Sequence, residues 1–162
     1  NLIIHAAAYT DVDVSETNKG ECFDTNVMGT LNMLSAYSDI PFVYISSEYA
    51  NNPVNYYSKT KSAAEAAVEA YADRYLIIRT LFKPTPFPHE KAFSDQMTQG
   101  DYVDIIAPLI SKAIFEWDGE NKIIYIGTGR KSILELARRT KPDIESCSVN
   151  DVTGVKLPGD YA

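Results

Sequence analysis

Phe42-Val43-Tyr44-Ile45-Ser46-Ser47-Glu48-Tyr49, followed by Tyr57-Ser58-Lys59-Thr60-Lys61 and then by Ala64, Ala67, Val68 and Tyr71, is the stretch on which the fold turns. Residues 42–46 form a short apolar run without polar alternation, as in a strand covered on both faces. From 60 to 71 the apolar residues recur at spacings of three and four, the period of a helix with one buried stripe. Similar strand-like runs occupy 2–5, 76–79 and 122–126. Helical patterns fill 21–37, through Phe23, Val27, Leu31 and Leu34, and 102–117, through Val103, Ile106, Ile110 and Ile114, with Pro108 near the first turn or at a kink. Strand and helix alternate with room for crossovers, which predicts an α/β fold built on a doubly wound parallel sheet.

Outside this rhythm, Pro84, Pro86 and Pro88 crowd residues 82–101, which reads as a loop outside the sheet. Ser132 and Glu135 form a capping-box pattern for a short last helix that Pro142 stops. Beyond residue 143 no period is visible.

The 162 residues suit a single core, and the net charge of −7 contains no long run of either sign. An acidic surface argues against a nucleic-acid partner, though not against a small phosphorylated ligand. Two cysteines, Cys22 and Cys147, give no disulfide framework and no metal-ligand spacing, so no metal is expected and a reducing compartment is the default. No apolar run approaches the roughly 20 residues that span a bilayer, so a cytoplasmic protein without a membrane partner is expected. The sequence opens at Asn1 directly on an apolar run, which reads as the back portion of a longer chain.

Tyr57 and Lys61, four residues apart, share one helix face. A cation beside a phenol, whose free pKa is about 10, favours the phenolate and tunes it for proton transfer. The pattern alone also fits a solvated Lys beside a half-buried Tyr. Ser46 and Ser47 lie where the strand ends, the edge at which open α/β sheets bind ligands, and could hydrogen-bond the same carbonyl as Tyr57 or simply cap the next turn. His5 and His89 read as structural or exposed. Asp11 and Asp13 read as solvated turn carboxylates, and Arg138 and Arg139 as charges complementing a helix end.

Taken in order, Ile3 to Asp13, Asn26-Val27-Met28-Gly29-Thr30, Val43 to Tyr49, Tyr57 to Lys61 with Ala64-Glu65, and Leu76 to Thr80 resemble the extended short-chain dehydrogenases/reductases, the NAD-dependent epimerase/dehydratase type. Within them the match is to the dTDP-4-dehydrorhamnose reductase group. The resemblance continues more loosely through Tyr102 to Ile105 and Ile126 to Lys131. It implies the C-terminal portion of a Rossmann-like sheet with part of a small substrate lobe. Residues 1–82, with 103–127 returning to the same sheet, would form the cofactor part; 83–102 and 128–162 would form the lobe.

The resemblance also implies roles. Tyr57 is the general acid, Lys61 lowers its pKa and holds a nicotinamide ribose, Ser47 orients the carbonyl, Glu48 stands where relatives carry Asp, and Asn26 supports the site. Ala6, Ala7, Ala8 and Tyr9 would line NAD or NADP, although tight strand packing explains the small residues equally well. Arg130 and Lys131, just past a strand that would end at the sheet's ligand edge, are read from that position as meeting a nucleotide diphosphate; the resemblance implies a nucleotide-sugar substrate, and a homodimer is compatible. The implied reaction is reduction, or epimerisation with reduction, of a nucleotide-linked 4-keto-6-deoxy sugar. A partner-binding family member without catalysis, or an epimerase or dehydratase, is the alternative. The family's Gly-rich pyrophosphate loop has no counterpart after Asn1; Gly127-Thr128-Gly129 lacks both the third Gly and the position.

Overall fold

The computed structural model describes residues 1–37 and 39–160. Its centre is a sheet of four parallel strands, β1 (Ile3–His5), β2 (Phe42–Ser47), β3 (Tyr75–Thr80) and β8 (Lys122–Tyr125), ordered β1-β2-β3-β8. Each coincides with an apolar run of the sequence to within a residue or two.

Alternation along β2 explains why both faces are covered. Phe42 and Tyr44 point to one side, where Leu34, Ala64, Val68 and Ile77 complete a cluster; Val43 points to the other, with Leu76, Ile78 and Ile106. The first face is covered by α3 (Gly29–Ala36) and α4 (Tyr56–Tyr71), the second by α5 (Val103–Phe115). Helices on both faces make the sheet doubly wound and Rossmann-like, as expected.

Two short helices precede α3, α1 (Val12–Ser15) and α2 (Lys19–Phe23), and a π-helical segment, Asp24–Met28, joins α2 to α3 without a break. The predicted helix over 21–37 is therefore real but not uniformly α. Phe23, placed on its buried stripe by the 3.6-residue period, is 40% exposed, because the wider turn changes which residues face the sheet. Tyr71, at the last residue of α4, is also exposed.

Residues 82–101 are not a plain loop. They hold β4 (Phe82–Lys83), β5 (Lys91–Phe93) and β6 (Met97–Thr98), outside the main sheet as expected, and lead into β7 (Asp101–Tyr102). β4 pairs with β7, β5 with β10 (Glu145–Cys147) and β6 with β9 (Lys131–Ser132), so the Pro-rich segment is stitched to the chain's last third. There α6 (Ile133–Arg138) starts with the predicted capping box: Ser132 Oγ accepts from Glu135 N–H at 3.0 Å, and Glu135 accepts from Ser132 N–H at 2.6 Å. Pro108 falls inside α5, past its first turn.

Two glycines set how closely the segments pass. A Cβ on Gly100 would lie 2.3 Å from the Leu81 carbonyl oxygen, and one on Gly127 would lie 2.3 Å from that of Gln99. Gly127 thus permits a backbone crossing, which accounts for it without a phosphate. Among the described residues no helix is long and apolar enough to cross a membrane.

Candidate active site

The site begins with how α4 is anchored. A helix leaves its first N–H groups without intrahelical acceptors. Here all three at the start of α4 are met by side chains: Tyr56 N–H by Glu16 Oε1 at 2.7 Å, Tyr57 N–H by Ser15 Oγ at 3.2 Å, and Ser58 N–H by Asn55 Oδ1 at 2.8 Å. Asn55 is the N-cap, and Ser58 Oγ accepts from its N–H in return. Tyr57 is thereby fixed over the C-terminal ends of β1, β2 and β3.

At those ends lies a cleft of about 560 Å³, lined by Ala6, Ala8, Ser46, Ser47, Tyr57, Lys61 and Thr80 among others. A second cavity of about 480 Å³ adjoins it, reaching toward Phe87, Phe93 and Cys147. Thr10, Val12, Tyr49, Lys83 and His89 line both, so the two are halves of one groove with a shared waist.

Tyr57 packs edge-on against Tyr49, ring centroids 6.1 Å apart. Burial pushes its phenol up to about 12, against which a hydrogen bond with Ser47 acts. Lys61 is 2% exposed; its Nζ donates to the Ile45 carbonyl at 2.9 Å and stands 4.2 Å from the centroid of Tyr44. Burial brings its pKa down to about 7, opposed by the charge of Glu65. The expectation that Lys61 depresses the Tyr57 pKa is thus corrected in this structure. One helix face brings the two to one cleft, but the ammonium reaches down to the sheet rather than across to the phenol.

That burial has a measurable consequence. Free Lys keeps its proton to about 10.5, whereas folded Lys61 releases it near 7. Between these values the unfolded chain binds more protons, so stability rises with pH across the window. The denaturant midpoint is expected to climb between pH 7 and pH 10. In Lys61→Met the climb should flatten and the pH 7 midpoint should increase. An unchanged slope in that variant would assign the titration elsewhere.

The other expected site residues divide. Asn26 is 1% exposed; its Oδ1 accepts from Tyr9 N–H at 2.7 Å, and its Nδ2 donates to Thr60 Oγ1 at 2.9 Å. Thr60 in turn donates to the Tyr57 carbonyl at 2.8 Å, so Asn26 ties the loop after β1 to the first turn of α4. Ala6 and Ala8 line the cleft, while Ala7 and Tyr9 do not. Glu48 turns away from it: its carboxylate accepts from Thr98 Oγ1 at 2.6 Å and from Gln99 N–H at 3.2 Å. It fastens the 98–100 segment to the end of β2.

Arg130 and Lys131 also stand apart from the groove. Arg130 pairs with Asp160 at 2.7 Å, and Lys131 Nζ donates to the Gly129 carbonyl at 2.7 Å and lies 3.7 Å from Asp101. Local acceptors take both cations before the cleft is reached. Arg139 likewise pairs with Asp101 at 2.9 Å rather than only facing its helix end. Asp11 is the N-cap of α1, accepting from Val14 N–H at 2.9 Å. His5 is buried, its Nε2 3.1 Å from Thr30 Oγ1.

Lys83 goes unread in the sequence and His89 reads there as structural or exposed, yet both stand at the waist of the groove. The signal for Lys83 was its place just past the end of a parallel strand, where ligands bind in open sheets. Pro84, Pro86 and Pro88 drew the eye to a loop instead.

The sequence profile described as "Polysaccharide biosynthesis protein" matches residues 1–87. A UDP-N-acetylglucosamine 4,6-dehydratase (inverting) from Campylobacter jejuni is 38% identical over 68 residues, 40% of this chain and 20% of the relative. A dTDP-4-dehydrorhamnose reductase from Mycolicibacterium smegmatis is 25% identical over 149 residues, 80% of this chain and 46% of the relative. The chain thus spans less than half the length of these curated relatives. The crystal structure of a dTDP-4-dehydrorhamnose reductase from Bacillus anthracis in complex with NADP superposes with a TM-score of 0.81 at 23% identity, over 99% of this chain and 69% of that one.

Proposed function

Since this chain belongs to the family of polysaccharide biosynthesis proteins and has the fold of the dTDP-4-dehydrorhamnose reductases, we propose that it carries the proton-transfer site of an NAD(P)-dependent reductase acting on a nucleotide-linked 4-keto-6-deoxy sugar. The observation behind this reading is that Ser47, Tyr57 and Lys61 line one cleft at the C-terminal ends of the parallel strands, where Ser47 opposes the rise that burial gives the Tyr57 phenol. We assign residues 1–82 and 103–127 to the cofactor part and 83–102 with 128–162 to the substrate lobe, of which 161 and 162 lie outside the described residues.

The donor set fits the nicotinamide end of NAD or NADP. An ammonium has three N–H donors, and Lys61 donates one hydrogen bond among the described residues, to Ile45. Protonated or neutral, this cleft-lining amine keeps an N–H beyond the one given to Ile45 for ribose hydroxyls, beside the small walls of Ala6 and Ala8. The bound cofactor supplies hydride to the sugar carbonyl carbon. The chain's own groups handle the oxygen: Ser47 and Tyr57 hydroxyls position it, and Tyr57 gives its proton as negative charge develops there. A phenol pushed up to about 12 is protonated at neutral pH and so enters the reaction as the acid. Asn26 holds the loop after β1 against α4 and acts as a positioning residue.

Reduction is preferred to dehydration on one observation. A dehydratase needs a further acid/base group beside the Ser, and Glu48, the acidic residue of that segment, is engaged by Thr98 and Gln99 outside the cleft. The test is to mix the full-length protein with NADPH or NADH and a dTDP- or UDP-linked 4-keto-6-deoxy sugar. Oxidation of the nicotinamide with one-to-one formation of the 4-hydroxy sugar is expected. Loss of water from a 4-hydroxy nucleotide sugar with no net nicotinamide oxidation would replace the reading by dehydration, and failure to bind either nicotinamide would remove it.

A further inference from the structure

Lys83, in β4 just past the end of β3, lines both halves of the groove, at the waist the halves share. Several other cations of the fold have protein partners. Arg79 pairs with Glu65, Lys91 with Glu145, Lys131 and Arg139 with Asp101, and Lys141 donates to the His89 carbonyl. No hydrogen bond or ion pair engages Lys83 among the described residues, although it is partly buried. Burial lowers its pKa, and its charge, after burial itself, lowers that of His89 on the same wall. The carboxylates on the far half, Asp11 and Asp13, form no ion pair with it among the described residues, and Asp11 caps α1. A cation kept partly out of water without a counter-charge is costly unless something supplies the charge.

We propose that Lys83 is the anion-binding residue of the groove and holds a phosphate of the substrate's diphosphate, an assignment that rests on the nucleotide-sugar reading above. The order of groups along such a substrate matches the order along the groove. The sugar lies in the half that contains Tyr57, the diphosphate at the waist, and the nucleoside in the half walled by Phe87 and Phe93. Arg130 and Lys131, paired elsewhere, leave this position to Lys83.

The experiment is calorimetric titration of dTDP and UDP into the full-length protein, Lys83→Gln and Lys83→Arg. A hydrogen bond to a charged group is worth about 1.5–3 kcal/mol, so Lys83→Gln should weaken nucleoside-diphosphate binding about tenfold or more. Lys83→Arg should recover most of it. NADPH binding should stay within a factor of about two, and in turnover KM should rise with kcat little changed. Thermal unfolding of both variants separates a folding defect from lost binding. Should Lys83→Gln unfold early, binding by Lys83→Arg and by the unmodified protein must still weaken with added salt.

Undiminished binding by a folded Lys83→Gln would overturn the assignment, as would salt-independent binding. Parallel loss of NADPH binding would overturn it too, by giving the phosphate to the cofactor. If the unmodified protein turns over the sugar while Lys83→Gln is indifferent, only the role of Lys83 falls. If the unmodified protein takes neither dTDP nor UDP, the nucleotide-sugar reading falls with it.

Discussion

Tyr57→Phe is expected to lower the rate of carbonyl reduction by about 100-fold or more while the protein stays folded and binds nicotinamide as before. Only the hydroxyl is removed, so the edge contact with Tyr49 and the anchoring of the α4 first turn by Ser15, Glu16 and Asn55 remain. The loss should fall on kcat, because the proton is needed when charge builds on the carbonyl oxygen. The Ser47 hydroxyl would keep one hydrogen bond to that oxygen, so residual activity is expected. Stopped-flow measurement of nicotinamide oxidation under single turnover checks the prediction; an unaltered rate would mean that another group delivers the proton.

The largest effect on stability is expected at Arg79→Leu. Glu65 is 4% exposed at its side chain, and Arg79 grips its carboxylate from two nitrogens, Nε at 3.0 Å and Nη2 at 2.6 Å, while Ser46 donates from the strand. Removing Arg79 leaves a buried carboxylate with Ser46 as its remaining side-chain donor among the described residues. Breaking one side of a buried pair costs about 3–5 kcal/mol, a large share of a typical domain's total. Glu65→Leu combined with Arg79→Leu removes both charges and should recover most of the loss. The measurement is the urea midpoint at constant slope. A single variant no less stable than the double would show that the pair is not what holds β3 to α4.

β2 and β3 were legible because a strand covered on both faces has to be apolar at nearly every position, and 42–46 and 76–79 are; β1 and β8 were legible from equally apolar runs, although Ile4 and Tyr125 are exposed. The two-residue strands β4, β6, β7 and β9 were not legible, since a period cannot show in two residues; long-range pairing makes them. In the site, Ser47, Tyr57 and Lys61 could be found from order and spacing, as position along strand and helix decides which edge they reach. Glu48, the next residue after Ser47, leaves the strand in the opposite direction and meets Thr98, a contact 50 residues away in sequence. Arg130 and Lys131 were read as ligands from their place after a strand. Asp160 and Asp101, which capture them, are remote in sequence.

The π-helical turn at Asp24–Met28 also constrains how this helix can change. Cys22, Asn26, Thr30 and Leu34 stand at strict intervals of four, and each is buried to 1% exposure or less. On an undisturbed α-helix each such step drifts about 40°, about 120° over the three, and would carry one end of the row off the sheet. The wider turn takes up part of that drift. Asn26, bound to Tyr9, and Thr30, next to His5, can therefore keep the same phase. An insertion or deletion anywhere between Cys22 and Leu34 would put the two ends out of step, so this helix can vary in composition far more freely than in length.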